Sequence, residues 1–195
     1  LRYLVRRLLS APAGRFSVHK LYNDLRSQGR KVGKDLLYRG LEHLEDAFLL
    51  TTVSIDSDSE RVRASNPRKC YPIDPGLAHA HSFRTDKDVG HHLETLVLLA
   101  LRRWGYQVSY MQVGEFEVDF IARHPARPPR LIQVCADMSD PATRVRELRA
   151  LEAGMKARGL PEGEVVTLTQ ADRVSVDGGA ALLMGAGQWL LNPSG

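Results

Sequence analysis

The stretch from Glu115 to Cys135, EFEVDFIARHPARPPRLIQVC, constrains the fold more than any other part of this 195-residue sequence. Two β-prone runs flank a Pro- and Arg-rich turn, which predicts a pair of adjacent strands. Side chains alternate along a strand, so Phe116, Val118 and Phe120 are expected on one face and Glu117 and Asp119 on the other. In the second run Leu131, Gln133 and Cys135 share a face opposite Ile132 and Val134. An acidic residue at one strand's end then faces a polar residue on its neighbour, as in a divalent-metal site. The plainer alternative makes Glu117 and Asp119 the solvated face of an edge strand.

What surrounds this pair reads as mixed α/β. A helix opening at Gly90 is almost continuously apolar and predicts burial on more than one side. Strands are expected at 106–111, 115–122 and 131–135. Asp140 as N-cap, with Pro141 at the first helical position, opens a long helix to about Arg158. A strand at 164–169, another at 173–176, a Gly178-Gly179 turn and a closing Trp189-Leu190-Leu191 complete the half. The order α-β-β-β-α-β predicts a mixed sheet with helices packed on it.

The first half differs. Leu1, Leu4, Val5, Leu8 and Leu9 fall at helical spacing, Ser17 is a candidate N-cap for a second helix, and Leu37, Leu41 and Leu44 mark a third. A β-branched run at 48–55 and a return strand at 69–73 then enclose a polar tip, 56–68. Three helices followed by a β-hairpin is the order of a winged helix-turn-helix. The polar segment 79–89 carries no apolar period, and the expected domains are 1–81 and 82–195.

Charge separates the halves as well. Up to Thr85 there are 15 Lys and Arg against 9 Asp and Glu, a net of +6; from Asp86 onward there are 12 against 14, a net of −2. A basic first half points to a polyanionic partner such as DNA. Arg30, Lys31, Lys34 and Arg39 cluster at and along the third helix, while Arg61, Arg63, Arg68 and Lys69 lie on the hairpin, placements suited to phosphate contacts. The alternative is that these cations only solvate their elements, and Glu42, Glu45 and Asp46 on the same helix would repel a phosphate backbone. The two cysteines, Cys70 and Cys135, form no framework and point to a reducing cytoplasm; no apolar run is long enough for a membrane partner. Cys135 is expected as a small buried side chain in a central strand.

Mg²⁺ takes oxygen ligands, commonly one or two carboxylates with water and substrate phosphate, and can activate water against a phosphodiester. Asp119, Gln133 and, from the preceding helix, Glu94 are the candidate donors. His91, His92 and Glu94 read better as a polar first helical turn than as a second metal site. The run Gly29-Arg30-Lys31-Val32-Gly33-Lys34-Asp35 is no phosphate loop: it has three residues between its glycines, Asp in place of Ser or Thr, and a helix before it. Residues 1–195 are therefore not expected to hydrolyse ATP.

Asp119, fourteen residues before Gln133-Val134-Cys135, with Glu94 on a leading helix, resembles the PD-(D/E)XK nuclease-like fold. The resemblance implies that Asp119 and Gln133 ligate a metal, assisted by Glu94, and that a lysine two residues after Gln133 positions the attacking water. Cys135 stands in that place, and a neutral thiol supplies no fixed positive charge. Arg144, Arg146 and Lys156 on the following helix are candidates to replace it. The wider order LYNDLRSQGRKVGKDLLYRGLEHLEDAFLL, NPRKCYPIDPGLA, GHHLETLVLLALRRWGYQVSY, EVDFI and IQVCADMSDPATRVREL is similar to the C-terminal region of prokaryotic AAA-type ATPases that end in domain of unknown function 4143. That resemblance implies a winged helix joined to a nuclease-like domain, downstream of an ATPase domain. The function expected is a C-terminal effector or regulatory module that binds nucleic acid or a partner and carries a degenerate nuclease-like site, with a metal-dependent DNA nuclease using Asp119 and Gln133 as the alternative. Assembly into an oligomer stays open.

Overall fold

A computed structural model describes residues 2–77 and 89–192. The chain divides into two compact units, Leu1–Asp88 and Val89–Gly195. The expected boundary at 81/82, with His79 and His81, lies outside the described residues.

The first unit contains α1 (Arg2–Leu9), β1 (Arg15–Phe16), α2 (Val18–Ser27), α3 (Lys34–Asp46), β2 (Leu50–Val53), α4 (Glu60–Ser65) and β3 (Arg68–Pro72). Ser17 caps α2 as expected, its hydroxyl accepting the Lys20 N–H. Leu4 and Leu8 of α1, Leu21 and Leu25 of α2, and Leu37, Leu41 and Leu44 of α3 meet in one core over β2 and β3. The sheet runs β1-β3-β2 and is antiparallel. The expected polar tip at 56–68 is not a plain loop, because Ser59 accepts the Val62 N–H and starts α4. Arg61 and Arg63 therefore sit on a short helix and not on hairpin strands. Lys69 is buried within β3.

The second unit is a six-stranded sheet with helices on both faces. Its elements are α5 (Val89–Arg103), β4 (Gln107–Val113), β5 (Phe116–His124), β6 (Arg127–Val134), α6 (Pro141–Arg158), β7 (Glu162–Thr167), β8 (Asp172–Val176), β9 (Gly179–Gly185) and α7 (Ala186–Leu191). The strand order is β4-β5-β6-β7-β9-β8. β4, β5 and β6 are antiparallel, β6-β7 and β7-β9 are parallel, and β8 returns antiparallel to β9. The sheet is mixed, as the sequence predicts, but it is longer by β9, and Trp189 closes the fold from a helix.

Faces follow from alternation and from what each helix touches. A Cβ placed on Gly154 of α6 would meet Val118 and Leu131, and one on Gly163 would meet Leu151 of α6. Val118, Leu131 and Gly163 therefore look toward α6. Arg130 and Glu164, their sequence neighbours on β6 and β7, look the other way, toward Trp189 of α7 and Trp104 beyond α5.

Two features of the β5–β6 pair depart from the simple reading. The turn is only Pro125-Ala126, and Pro128 and Pro129 lie inside β6. They are tolerated because β7 pairs with β6 only from Ile132 onward, so this part of β6 is bordered on one side alone. Against β4, the register of β5 shifts between Ser109 and Met111, leaving Asp119 and Phe120 where a single residue is expected. This bulge breaks the strict alternation. Val118 and Ile121 both join the core beneath α6, which a regular strand could not arrange.

Candidate active site at the β5–β6 fork

The backbone ladder between β5 and β6 ends at the Phe120–Ile132 pair. Beyond it the strands are held by side chains. Asp119 Oδ2 accepts the Val134 backbone N–H at 3.0 Å, and Gln133 Oε1 accepts the Asp119 backbone N–H at 3.2 Å. The bulge places Asp119 at the fork, and β6 carries Gln133 on the face that looks toward α6. Sequence and structure thus agree that these two residues meet.

A third residue joins them from α6. Gln133 Nε2 donates to Glu147 Oε2 at 2.6 Å. The amide orientation is set by its partners: exchanging its oxygen and nitrogen would oppose two donors at Asp119 and two acceptors at Glu147. The other Glu147 oxygen receives Arg146 Nη2 at 2.6 Å and Nε at 3.1 Å. Asp119, Gln133 and Glu147 are buried, while Arg146 is exposed. A carboxylate in such a place needs charge-assisted partners, and Glu147 has both a guanidinium and an amide.

The sequence carries a signal for Glu147 that strand alternation and motif spacing do not pick up. The buried residues of α6 are Glu147, Ala150, Leu151, Gly154 and Met155, a spacing of three and four. Glu147 occupies the first position of that apolar stripe, where a carboxylate is out of place unless it has work to do.

Cys135 lies just beyond the end of β6 and is half-buried, not enclosed in a central strand. Its thiol donates to the Asp137 carbonyl at 3.2 Å. Burial, and then the charge of Glu147, push the thiol above its ordinary range, while Arg146 pulls weakly the other way. The position is therefore neutral at pH 7. Of the cations considered as replacements for a lysine, Arg144 is engaged with Asp172 at 2.7 Å. Lys156 lies ten residues past Arg146, about 15 Å along the helix axis, beside Gly159 and Asp177. Arg146 is the one close enough to Cys135 for its charge to be felt there.

Glu94 is buried on α5. That helix packs against β4, β5 and β6, and also against α7. His91 is exposed at its first turn. Among the described residues no three His, Cys, Asp or Glu side chains are gathered as a metal cluster. The donors at the fork, the Asp119 carboxylate and the Gln133 carbonyl, are nevertheless hard oxygens and fit Mg²⁺ or Mn²⁺ completed by water and a phosphate. A cation held there would supply Lewis acidity toward a phosphodiester.

In the first unit, Lys34 lies 5.1 Å from the Tyr22 ring centre, Arg26 lies 5.6 Å from the same ring, and Arg30 lies 5.4 Å from Tyr3. Tyr22, Arg26, Arg30 and Lys31 line an open hollow of about 490 Å³ between α2 and α3. Lys31 and Arg39 are exposed, and Arg63 donates to the Ser57 carbonyl. Glu45 is turned onto β2, where it accepts the Thr52 N–H at 2.9 Å and its hydroxyl at 2.8 Å, so it does not confront a ligand on the outer side of α3.

Comparison with known proteins agrees with the second unit's geometry. A family model described as a restriction endonuclease, Mrr_cat, matches residues 86–180. An uncharacterized protein of Methanocaldococcus jannaschii is 29% identical over 178 residues, 87% of this chain. The chain spans 39% of that relative's length. No solved structure matches. No helix among the described residues is long and apolar enough to cross a membrane. Residues 86–180 are thus similar to a restriction endonuclease domain, with the Asp119–Gln133 fork inside the matched segment.

Proposed function

We propose that the second unit binds DNA through its backbone phosphates at the β5–β6 fork, assisted by a divalent cation on Asp119 and Gln133, and does not cut it. The observation that carries this reading is the contrast within the fork. Asp119 and Gln133 meet inside a segment similar to a restriction endonuclease, yet a neutral thiol, Cys135, stands where the resemblance implies a lysine. Without a lysine in that place, no side chain positions and activates the attacking water, so a phosphate held at the fork is not cut.

The first unit is read as a winged helix that adds sequence-independent contacts through Arg30, Lys31, Lys34, Arg39, Arg61 and Arg63. The cations around Tyr22 and Tyr3 support that reading. The order of motifs along the chain supports placing both units downstream of a AAA-type ATPase domain of the kind that ends in domain of unknown function 4143, with ATP bound there. Titration of Mg²⁺ and Ca²⁺ against labelled DNA tests the reading: binding that tightens with either ion, without cleavage, is expected.

A second reading is favoured by the match to a restriction endonuclease. In it the same fork, with Glu94 assisting, is a metal-dependent DNA nuclease. Cleavage in Mg²⁺ or Mn²⁺ that Asp119→Ala abolishes would establish it.

A further inference from the structure

We propose that Arg146, from helix α6, is the side chain that contacts the bound phosphate at this fork. The inference rests on the DNA-binding reading and names the residue through which that binding acts.

Three observations carry it. First, Arg146 and Glu147 are neighbours in sequence, and neighbours on a helix do not face one another. For its guanidinium to lie 2.6 Å and 3.1 Å from Glu147 Oε1, Arg146 must fold back over the buried carboxylate, toward the sheet. Pairing with the buried carboxylate accounts for this fold-back, and it fixes the guanidinium beside the residues of the fork.

Second, the guanidinium is anchored by a chain of hydrogen bonds that ends at the fork. Glu147 is held by the Gln133 amide at 2.6 Å, and Gln133 by the Asp119 peptide N–H. The head group is therefore tied to the same two residues that would hold the cation. Pre-organisation of this kind reduces the ordering cost of meeting an anion.

Third, Arg146 has donors to spare. Guanidinium carries five N–H groups, and Glu147 takes two of them. The side chain is 68% exposed, so the remaining edge is open to solvent. A planar fork of this sort matches a phosphodiester's paired oxygens better than an ammonium does. The local balance also favours this use. Glu147 and Asp119 alone would repel a phosphate, and Arg146 offsets one of those charges at the approach to the fork.

The test measures binding of a short labelled duplex by the whole chain across a range of salt, in Ca²⁺, for the wild type, Arg146→Ala, Arg146→Lys, and Arg146→Ala combined with Cys135→Lys. Loss of one phosphate contact lowers the log–log salt slope by about one unit, and that is the result expected for Arg146→Ala. Arg146→Lys should keep the slope while weakening binding. Cys135→Lys should restore the slope in the Arg146→Ala background, a rescue that a purely structural role for Arg146 would not give. A wild type that binds DNA with a slope unchanged by Arg146→Ala overturns the inference alone. A wild type that does not bind DNA overturns the reading of the domain, and the inference with it.

Discussion

The side-chain amide of Gln133 reaches Glu147 across 2.6 Å and ties strand β6 to helix α6 inside the second unit. This bond turns a two-residue fork into a connected site, because Glu147 also holds Arg146 and Gln133 also holds the Asp119 peptide. Its loss should be costly in a graded way. Glu147→Ala leaves a buried amide donor without an acceptor, and such orphaned groups cost about 1–3 kcal/mol. Glu147→Gln can still accept from Gln133 and should cost less. Urea denaturation of the two variants would check the order; equal losses would contradict the role given to the amide.

A second buried arrangement supports the opposite face of the sheet. Arg130 is bound to Glu164 by two contacts of 2.7 Å, and Trp189 Nε1 donates to the same carboxylate at 2.6 Å. Rings of Trp104, Tyr106 and Trp189 enclose the guanidinium. Glu164→Ala would leave a buried positive charge unpaired, which costs about 3–5 kcal/mol. The exposed pair Arg173–Glu162, at the same distance, should contribute about 1 kcal/mol or less. Comparing Glu164→Ala with Glu162→Ala by thermal unfolding tests the difference, and similar losses would count against it.

The start of β9 tolerates no side chain. A Cβ on Gly179 would lie 2.0 Å from the Pro161 carbonyl oxygen, against backbone that cannot swing away. Gly179→Ala must therefore displace the β7–β9 pairing, at a cost of about 1–3 kcal/mol or more. Gly187, with open space around its Cβ position, is the control. Gly187→Ala should leave the melting temperature within a degree or two of the wild type, on the order of a neutral surface change.

Acid should weaken the second unit through Asp172 and Asp140. Arg144 holds the Asp172 carboxyl below its usual range, and the Thr143 N–H does the same for Asp140 at the cap of α6. A carboxylate whose folded pKa is depressed contributes stability above its unfolded value, near 4, and loses it as pH falls through the folded value. Stability should thus hold from neutrality to about pH 4 and decline below. Asp172→Asn should shallow that decline; an unchanged acid limb would be the contrary result.

How far the sequence reaches is clearest at particular residues. Ser17 and Asp140 cap helices in the structure because a short polar side chain before an apolar period has few other uses. Asp119 and Gln133 lie on neighbouring strands as expected, but their meeting depends on a register shift between Ala122 and His124 that no local signal marks. The bulge at Asp119 and Phe120 was not legible, since it depends on how β4 registers against β5 and no local signal marks it. Nor was β9: Ala180 to Met184 has little β-branched character and is a strand because it lies between β7 and β8. Glu147 was legible in principle as a charge on an apolar stripe, but naming its partner required knowing which face of β6 the helix covers.

The most direct measurement is the fate of labelled duplex DNA with the wild-type chain and with Asp119→Ala in Mg²⁺, Mn²⁺ and Ca²⁺. Binding should tighten with each ion, weaken with Asp119→Ala, and leave the DNA intact. Cleavage in Mg²⁺ or Mn²⁺ that disappears with Asp119→Ala would contradict this reading and establish a working nuclease.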